Sequence, residues 1–441
     1  MGSYQPLYQN GHKPSSSPAN GVGPGHFHQR TGFTWLLCTV LCLSLLHLLC
    51  SPPPASHETV VAPVLQHIAI TSGSDQGKRS CDYSEGQWVR EPGYARRYNG
   101  TECNVKDSEN CVRNGRPDTG YLDWRWQPAA AGCRLPAFDA GAFLAAVRGK
   151  HVAFIGDSMA RNQAESLVCL LGASSSSSFP YRLVYRDPEP RTRKFWRWAF
   201  PSHNVTVSVY WAPFLARATG KSEDYSMPHN TVYLNSLAER WSADADTMDV
   251  AVISTGHWFW NPTIYCNGSV VLGTHLLPMF NYTNIGLFSP YREAIRMSIQ
   301  RLIGSGRGGA GRTVVVATIS PAHFEKAWND PTTCARTEPY KDGEKEVETL
   351  AAELRRIARE EADAAAARSG GDGSGETRVM VLDVTKLASM RPDGHPGVYM
   401  HRDPFARGVP EQLQSDCLHF CLPGPVDTFN EILLQILTKN Q

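Results

Sequence analysis

The hydrophobic pattern divides the chain into a polar N-terminal segment, one long apolar run, and a long region where apolar and amphipathic stretches alternate. Residues 1–32 are rich in Gly, Ser, Pro, His and Asn and contain no acid, so we expect a disordered tail. Residues 33–50 are almost all apolar and just long enough to span a bilayer. Residues 51–80 begin rich in Pro and Ser, which is typical of a stem.

The apolar run at 33–50 predicts how the chain is delivered. A secretory signal has a shorter apolar core that ends in a small-residue cleavage site. We therefore interpret the run as an uncleaved signal anchor, a transmembrane helix, with a cleaved signal as the alternative. Lys13 and Arg30 precede it and the first acid after it is Glu58, which favours a cytoplasmic N-terminus and a lumenal domain at 81–441.

The lumenal part contains two regions of different pattern. Residues 81–136 are rich in Cys, Trp and Pro with little periodicity, which indicates an irregular, disulfide-stapled lobe. Residues 137–441 alternate β-branched apolar runs with helical patterns, as in strands buried on both faces and the helices that cover them. The predicted strands and helices are 151–155, 249–254, 313–319 and 378–383, and 159–171, 291–303, 344–366 and 426–437. The alternation predicts an α/β fold, a three-layer α/β/α sandwich with a mostly parallel sheet.

Charge limits the class of partner. The formal net charge is +1, from 43 basic and 42 acidic residues, which argues against a polyanionic partner. The sequence has no basic helix, zinc-finger spacing or aromatic-basic ribonucleoprotein motif, so we expect no nucleic-acid binding. A neutral polysaccharide is compatible with this balance.

Two short motifs at opposite ends of the α/β region contain the candidate chemistry. Gly156-Asp157-Ser158 joins a predicted strand to a predicted helix, a position that exposes a hydroxyl at the carboxyl end of a strand. Asp416 and His419 lie three residues apart, close enough to share one face of a turn. Together the motifs offer a nucleophile, a base and a carboxylate that orients the base.

A metal centre is the alternative use of an Asp and a His at this spacing. A catalytic metal needs about three protein ligands. No other His or carboxylate clusters near Asp416 and His419 with a known ligand spacing. We therefore expect no metal site and metal-independent activity.

The motifs and their surroundings resemble the plant trichome birefringence-like family of polysaccharide O-acetyltransferases. The resemblance runs from about Cys81 to the C-terminus and includes both motifs without a gap or substitution, as well as the segments 114–118 and 124–128. It implies a fold close to that of GDSL-type esterases and a Ser158, His419 and Asp416 triad that forms an acetyl-serine. It also implies an acetyl donor as co-substrate, acetyl-CoA or another acetyl carrier, with no bound cofactor.

The resemblance also indicates an acceptor and a location. We expect a cell-wall hemicellulose as acceptor and a single-pass type II protein of the Golgi membrane. The segments 255–259 and 422–428 are most similar to the xyloglucan-acetylating branch, with xylan as the alternative. An acetyl esterase with the same triad and a non-enzymatic wall-polysaccharide binder are the other function classes, and the intact Ser, Asp and His set argues against the binder.

Neighbouring residues are assigned to an oxyanion and substrate region. The backbone N–H of Ser158 is one candidate donor to a tetrahedral oxyanion, and the side chains of Arg161 and Asn162, one turn into the predicted helix, are others. A structural salt bridge is the alternative role for Arg161, and a buried, hydrogen-bonded core position is the alternative for His257. His323 also matches the family pattern, which assigns it no role. The assigned set is Gly156, Asp157, Arg161, Asn162 and His257.

The cysteines predict disulfides, because a lumenal compartment is oxidising. Nine of the twelve lie outside the apolar run, and a zinc site is disfavoured because no Cys-x-x-Cys pair occurs. The odd number predicts at least one thiol without an intrachain partner. By resemblance to the family we expect the bonds Cys81–Cys133 and Cys103–Cys169, Cys266 and Cys334 joined in an open order to Cys417 and Cys421, and Cys111 unpaired. N-glycosylation sequons occur at Asn99, Asn204, Asn267 and Asn281.

Overall fold

Strands and helices alternate through most of the folded chain. The computed structural model describes residues 81–94, 98, 103, 105–173, 181–187, 195–304, 311–369 and 377–438. Within these residues the strands are β1 (Gly86–Arg90), β2 (Trp124–Pro128), β3 (His151–Gly156), β4 (Arg182–Arg186), β5 (Phe195–Phe200), β6 (Val205–Trp211), β7 (Ala216–Gly220), β8 (Asn230–Leu237), β9 (Val250–Ser254), β10 (Thr263–Asn267), β11 (Val270–His275), β12 (Thr313–Ala317) and β13 (Arg378–Leu382). The α-helices are α1 (Ala140–Ala146), α2 (Ser158–Ala173), α3 (Glu239–Asp244), α4 (Phe288–Gly304), α5 (Thr349–Ser369), α6 (Thr385–Ser389) and α7 (Asp427–Thr438).

The central sheet has seven strands in the order β13-β12-β9-β3-β6-β5-β4. The first five are parallel, and β5 and β4 add an antiparallel edge. The four predicted strands and four predicted helices are all present with shifted ends. The largest shift is in α5, which begins at Thr349 rather than at 344.

Side chains of the central strands alternate between two cores, because successive residues of a strand point to opposite faces. In β3, Val152 and Phe154 pack in the core that includes side chains of α2 and α7. Ala153 and Ile155 pack in the other core, which includes side chains of α4 and α5. Helices therefore cover both faces of the sheet, and the predicted three-layer sandwich is confirmed.

A second sheet, with the strand order β11-β10-β8-β7, is absent from the predicted elements. Its strands are half-buried and mix polar with apolar residues, as in β8, which reads NTVYLNSL. Such a strand lacks the apolar run of a buried strand, and its pairing with β10 depends on residues about 30 positions away. Sequence periodicity therefore gave no signal for this sheet.

The lobe at 81–136 contains more regular structure than its sequence pattern predicts. β1 and β2 form an antiparallel pair, in which Trp88 and Trp126 meet edge to face with ring centroids 5.5 Å apart. The indole N–H of Trp88 donates to the carbonyl of Leu387 at 2.9 Å and so attaches the lobe to the sandwich. The disulfides Cys81–Cys133 and Cys103–Cys169 are both present, as the family resemblance implied.

Some of the predicted segments and sites lie outside the described residues, and others lie on the described surface. The tail, the apolar run at 33–50, the stem and Asn99 lie outside the described residues. Among the residues that are described, no helix combines the length and apolarity needed to cross a membrane. The sequon residues Asn204, Asn267 and Asn281 are exposed, so each is accessible for modification.

Candidate active site

Ser158 is the first residue of α2, and only Asp157 separates it from the end of β3. The turn requires glycine at position 156, where φ is +152° and an added Cβ would lie 1.8 Å from the carbonyl oxygen of Ser254 on β9. Gly156 therefore permits the backbones of β3 and β9 to approach closely. Its role in this turn is structural, and no contact assigns it to the substrate region. The turn places Ser158 at the carboxyl end of the parallel sheet, where α/β folds form their ligand crevices.

Asp157 holds this turn in place. Its buried carboxylate accepts hydrogen bonds from the backbone N–H of Met159 at 2.9 Å and of Gly256 at 3.1 Å. The first bond caps the N-terminus of α2, and the second ties the turn to the segment after β9. Both carboxylate oxygens are engaged in the fold, so Asp157 positions Ser158 rather than contacting an oxyanion.

Asp416 and His419 share a hydrogen bond within one turn, as their spacing of three residues predicts. Asp416 Oδ2 lies 2.7 Å from His419 Nδ1, while its Oδ1 accepts from the backbone N–H groups of Leu418 and His419, each at 3.0 Å. Burial raises the pKa of Asp416, but the charge and hydrogen bonds of His419 outweigh it and hold that pKa well below its usual range. Asp416 is therefore ionised and fixes the proton of His419 on Nδ1.

The other ring nitrogen of His419 is then free to accept a proton. Among the described residues no group bonds to Nε2, which is buried. A buried polar atom without a partner is costly and is typical of a catalytic position that a substrate or nucleophile completes. His419 and Ser158 line the same cavity, so Nε2 can act on a group within it.

The cavity has a volume of about 380 Å³ and lies over the carboxyl end of the central sheet. Seven aromatic residues and three cationic side chains contribute to its lining. The aromatic residues are Phe195, Trp196, Trp211, Tyr225, Trp258, Phe324 and Trp328, and the cations are Lys106, Arg161 and Arg186. Indole and phenol rings of this kind stack against the apolar faces of sugars.

Arg161 takes the salt-bridge role that was its alternative. Its guanidinium donates to Glu109 at 2.6 and 2.9 Å and to Glu165 at 2.7 Å. Burial raises the pKa of Glu109, but Arg161, His419 and Lys106 outweigh it and hold that pKa at about 2. Burial raises the pKa of Glu165 to about 7, because its one contact with Arg161 compensates the lost hydration only in part.

Asn162 links the charged cluster of Arg161, Glu109 and Glu165 to the loop that carries Asp416 and His419. Its amide nitrogen donates to Glu109 at 2.8 Å and to the carbonyl of Phe420 at 3.0 Å, and its oxygen accepts from the N–H of Phe420 at 3.3 Å. Both amide hydrogens are used, so the expectation that Asn162 donates to an oxyanion is wrong. It fixes the residue that follows His419 instead.

Glu109 is the site residue that the sequence did not reveal. It lies in the 3₁₀ turn Asp107–Glu109 of the N-terminal lobe and is fully buried against α2. An isolated acid in an irregular, cysteine-rich segment gives no periodic signal. Its identity as the partner of Arg161 depends on a contact across 52 positions of sequence.

His257 does not line the cavity among the residues the structure describes, whereas its neighbour Trp258 does. Its Nε2 lies 2.8 Å from the carbonyl oxygen of Ser320, and burial lowers its pKa. His257 is therefore a buried, hydrogen-bonded histidine, and its assignment to the substrate region is wrong.

Two disulfides hold the loop that carries Asp416 and His419, with one change from the expected pairing. Cys334 bonds to Cys417, and Cys111 bonds to Cys421. The expectation that Cys111 is unpaired and that Cys266 is bonded is wrong, because Cys266 is the buried free thiol, on β10 of the second sheet. The backbone explains the pairing: Leu422 N–H donates to the Glu109 carbonyl at 2.9 Å, which brings the lobe beside the loop.

The described residues contain no cluster of three or more His, Cys, Asp or Glu side chains arranged to hold a metal ion. Ser158 and the hydrogen-bonded pair of Asp416 and His419 all line one cavity. Such a constellation performs acyl transfer through a covalent intermediate.

Comparison with known proteins places this site in a family. Residues 135–436 match the GDSL/SGNH-like acyl-esterase family found in Pmr5 and Cas1p, and residues 79–133 match the PMR5 N-terminal domain. Xyloglucan O-acetyltransferase 1 of Populus trichocarpa is 44% identical over 411 residues, which cover 92% of each chain. Xyloglucan O-acetyltransferase 1 of Arabidopsis thaliana is 42% identical over 428 residues, 93% of this chain and 97% of its own.

A more distant relative carries the name of the family inferred from the motifs. Protein trichome birefringence-like 26 of Arabidopsis thaliana is 38% identical over 379 residues, 85% of this chain and 81% of its own. The resemblance read from the two motifs is therefore confirmed. The chain belongs to the GDSL/SGNH-like acyl-esterase family found in Pmr5 and Cas1p, alongside the trichome birefringence-like proteins.

Proposed function

We propose that this protein transfers acetyl groups to hydroxyls of xyloglucan through an acetyl-serine intermediate on Ser158. Polysaccharide O-acetylation follows from the family and from relatives named for that activity. The observation that supports the mechanism is the orientation of His419 by Asp416, with Nε2 unbonded within the cavity that Ser158 also lines.

The first half of the reaction loads the enzyme. His419 Nε2 takes the proton of the Ser158 hydroxyl as the oxygen attacks the carbonyl carbon of the acetyl donor. The tetrahedral intermediate then collapses, the bond to the carrier breaks, and the carrier leaves with the proton from Nε2. Asp416 stabilises the imidazolium that forms between these steps. The backbone N–H of Ser158 is the proposed donor to the oxyanion.

The second half transfers the acetyl group to the sugar. His419 Nε2 takes the proton of an incoming sugar hydroxyl, whose oxygen attacks the acetyl-serine. Collapse of the second tetrahedral intermediate returns the proton to Ser158 and releases the acetylated glycan. Water performs the same step in an esterase, so the triad alone is compatible with both reactions. The aromatic residues of the lining favour transfer because they offer faces on which a sugar ring can stack.

The assay that tests this proposal compares three conditions with the full-length protein. We expect an acetyl donor alone to give little free acetate and donor plus xyloglucan oligosaccharides to give acetylated glycan. Release of acetate at the same rate with and without acceptor would establish the esterase instead. An identical rate with xylan oligosaccharides in a matched panel would remove the preference for xyloglucan.

The proposal includes the setting of the reaction. The donor is acetyl-CoA or another acetyl carrier, and the enzyme is anchored in the Golgi membrane by the helix at 33–50 with its catalytic domain in the lumen. The four disulfides found among the described residues agree with an oxidising compartment. Protease treatment of sealed Golgi vesicles should leave residues 81–441 intact, whereas digestion without detergent would contradict this topology.

A further inference from the structure

The loop that carries His419 lies against two buried histidines that the proposed reaction does not use. His323 is 3% exposed and His395 is 2% exposed. His323 Nδ1 and His395 Nε2 lie 2.7 Å apart, a distance at which two nitrogens must share a proton. The two imidazoles therefore form one hydrogen-bonded unit, here called the histidine pair.

The outer nitrogens of the histidine pair each face a backbone carbonyl. His323 Nε2 lies 2.8 Å from the oxygen of Ser389, and His395 Nδ1 lies 2.8 Å from the oxygen of His419. A carbonyl oxygen only accepts, so each outer nitrogen must carry a hydrogen. Two neutral imidazoles have two N–H groups in total, and both are used at these carbonyls. The central contact would then join two lone pairs.

We propose that the histidine pair holds three protons on its four nitrogens, as an imidazole bonded to an imidazolium. In this form it positions the loop that carries Asp416 and His419, here called the catalytic loop. The added proton comes from solvent and leaves a net charge of +1 on the pair. All three contacts are then hydrogen bonds. The proton count rests on geometry alone, and its link to catalysis rests on the proposed function of His419.

Burial opposes this charge, and the neighbouring groups act in both directions. Burial lowers the pKa of His323 to about 4 and that of His395 well below its usual value. The bonds to the two carbonyls and the charge of Asp416 raise these pKa values, whereas the charges of Lys345 and Arg336 lower that of His323 further. The pKa values stay low despite these bonds, so the third proton is inferred from the 2.7 Å distance between the two nitrogens. The ring of His395 also stacks on Phe420 with centroids 4.7 Å apart and planes 9° apart, a face that attracts a cation.

Other charged or titratable groups surround the histidine pair. On the side of His323 they are Arg336, Tyr340, Lys345 and Glu348. On the side of His395 they are Asp416, His419, Arg116, which donates to the His395 carbonyl, and the buried ion pair of Arg391 with Asp393.

The pair contacts the catalytic loop at two points. His395 Nδ1 donates to the carbonyl of His419 itself, and the backbone N–H of His323 donates to the carbonyl of Cys417 at 2.9 Å. Loss of the shared proton leaves two lone pairs at 2.7 Å, which repel and separate the rings. The carbonyl of His419 then loses its fixed donor, and the imidazole loses part of its orientation.

Histidine-selective ¹⁵N NMR of the full-length protein near neutral pH counts the protons directly. We expect three protonated nitrogens in the pair. In His323→Asn the signals of His323 and of the shared proton should disappear, and His395 Nδ1 should keep its hydrogen. Two protonated and two bare nitrogens would overturn the proposal. This readout needs no acetyl donor or glycan, so it is independent of whether the proposed reaction is correct.

The pH dependence of unfolding supplies a second test. The Tm difference between wild type and His323→Asn changes with pH in opposite directions for a charged and for a neutral histidine pair. A shared proton held above the ordinary pKa of about 6.5 stabilises the fold below that pH and is lost as pH rises through the folded value. The difference in Tm between wild type and His323→Asn should therefore shrink as pH rises. A neutral pair predicts that the difference shrinks as pH falls. His151→Asn is the control for that sign, because burial lowers the pKa of His151 to about 4.

The pH profile of acetyl transfer connects the pair to the loop. Asn at position 323 can donate an amide hydrogen to His395 Nε2 without titrating, so His395 stays neutral and keeps its bond to His419. We expect transfer by the wild type to decline at alkaline pH. His323→Asn should retain transfer without this decline, whereas His323→Phe should lose at least about tenfold in rate. Identical alkaline limbs in wild type and His323→Asn would refute the positioning role. Absence of transfer in every protein, with three protons in the NMR count, would refute the proposed function alone.

Discussion

Replacement of Glu109 by Gln should be far more destabilising than the same change at Glu165, the other carboxylate that accepts from Arg161. Glu109 accepts two hydrogen bonds from Arg161 and one from Asn162, and Lys106 lies 3.7 Å away. A Gln amide turns one acceptor into a donor that faces the guanidinium, and it removes the charge that compensates Arg161. Breaking a buried pair in this way is strongly destabilising.

The size of the effect follows from the pKa of Glu109. Its folded pKa is about 2 and its ordinary value is 4.5. At 1.36 kcal/mol per unit the difference corresponds to about 3 kcal/mol of stability at neutral pH. For a folded part of about 360 residues and an unfolding entropy of ~2.1 cal/mol/K per residue, this lowers Tm by about 4 °C. Because the folded pKa is depressed, the contribution is present above the unfolded pKa of about 4.5 and is lost as pH falls toward 2.

Thermal unfolding of the full-length protein at pH 7 and at lower pH measures this effect. Glu165→Gln is the matched control, because burial raises the pKa of Glu165 to about 7 and a neutral amide therefore costs little there. We expect Glu109→Gln to lower both Tm and acetyl transfer, since Asn162 loses the partner that holds it beside Phe420. Equal Tm values for the two variants at pH 7 would refute the assignment of charge within the cluster.

Four further predictions concern the site and its supports. Ser158→Ala should lower transfer by at least about a thousandfold while leaving Tm nearly unchanged, and activity within a few-fold of wild type would exclude the acetyl-serine. Asp416→Asn should lower the rate by on the order of 10⁴-fold, as the same change does in serine proteases, with His419→Ala at least as damaging; equal rates of Asp416→Asn and wild type would contradict the orienting role. Transfer should survive a chelator, and inhibition that added zinc reverses would move the enzyme to a metal-dependent class. Cys111→Ser should destabilise by about 2–5 kcal/mol in unfolding experiments, while Cys266→Ser should stay within about 1 kcal/mol of wild type, and similar losses in both would contradict the pairing.

Local patterns made the sheet, the helices and the two motifs predictable from sequence. The β-branched run before Gly156 predicts a buried strand, and the spacing of Asp416 and His419 predicts a shared turn, because both depend on neighbours in the chain. The roles of Glu109 and of Asn162 depend on contacts across more than 50 positions, so no local pattern contains them. The same holds for the bond between Cys111 and Cys421, which are 310 positions apart.

The bond between Cys111 and Cys421 sets an order of events for making this enzyme. Cys111 and Cys421 are 310 positions apart, so the ribosome must make the whole intervening chain before the two thiols can meet. Cys111 must therefore stay a free thiol until the segment with Cys421 has been made, whereas the bonds Cys81–Cys133 and Cys103–Cys169 span only 52 and 66 positions and need no part of that segment. A fragment that starts at residue 135 leaves Cys421 unpaired and Arg161 without Glu109, and it should accumulate as misassembled protein. A chain that contains both the lobe and the loop, made under oxidising conditions, is accordingly the route to correctly paired material, and expression in a reducing cytosol is not.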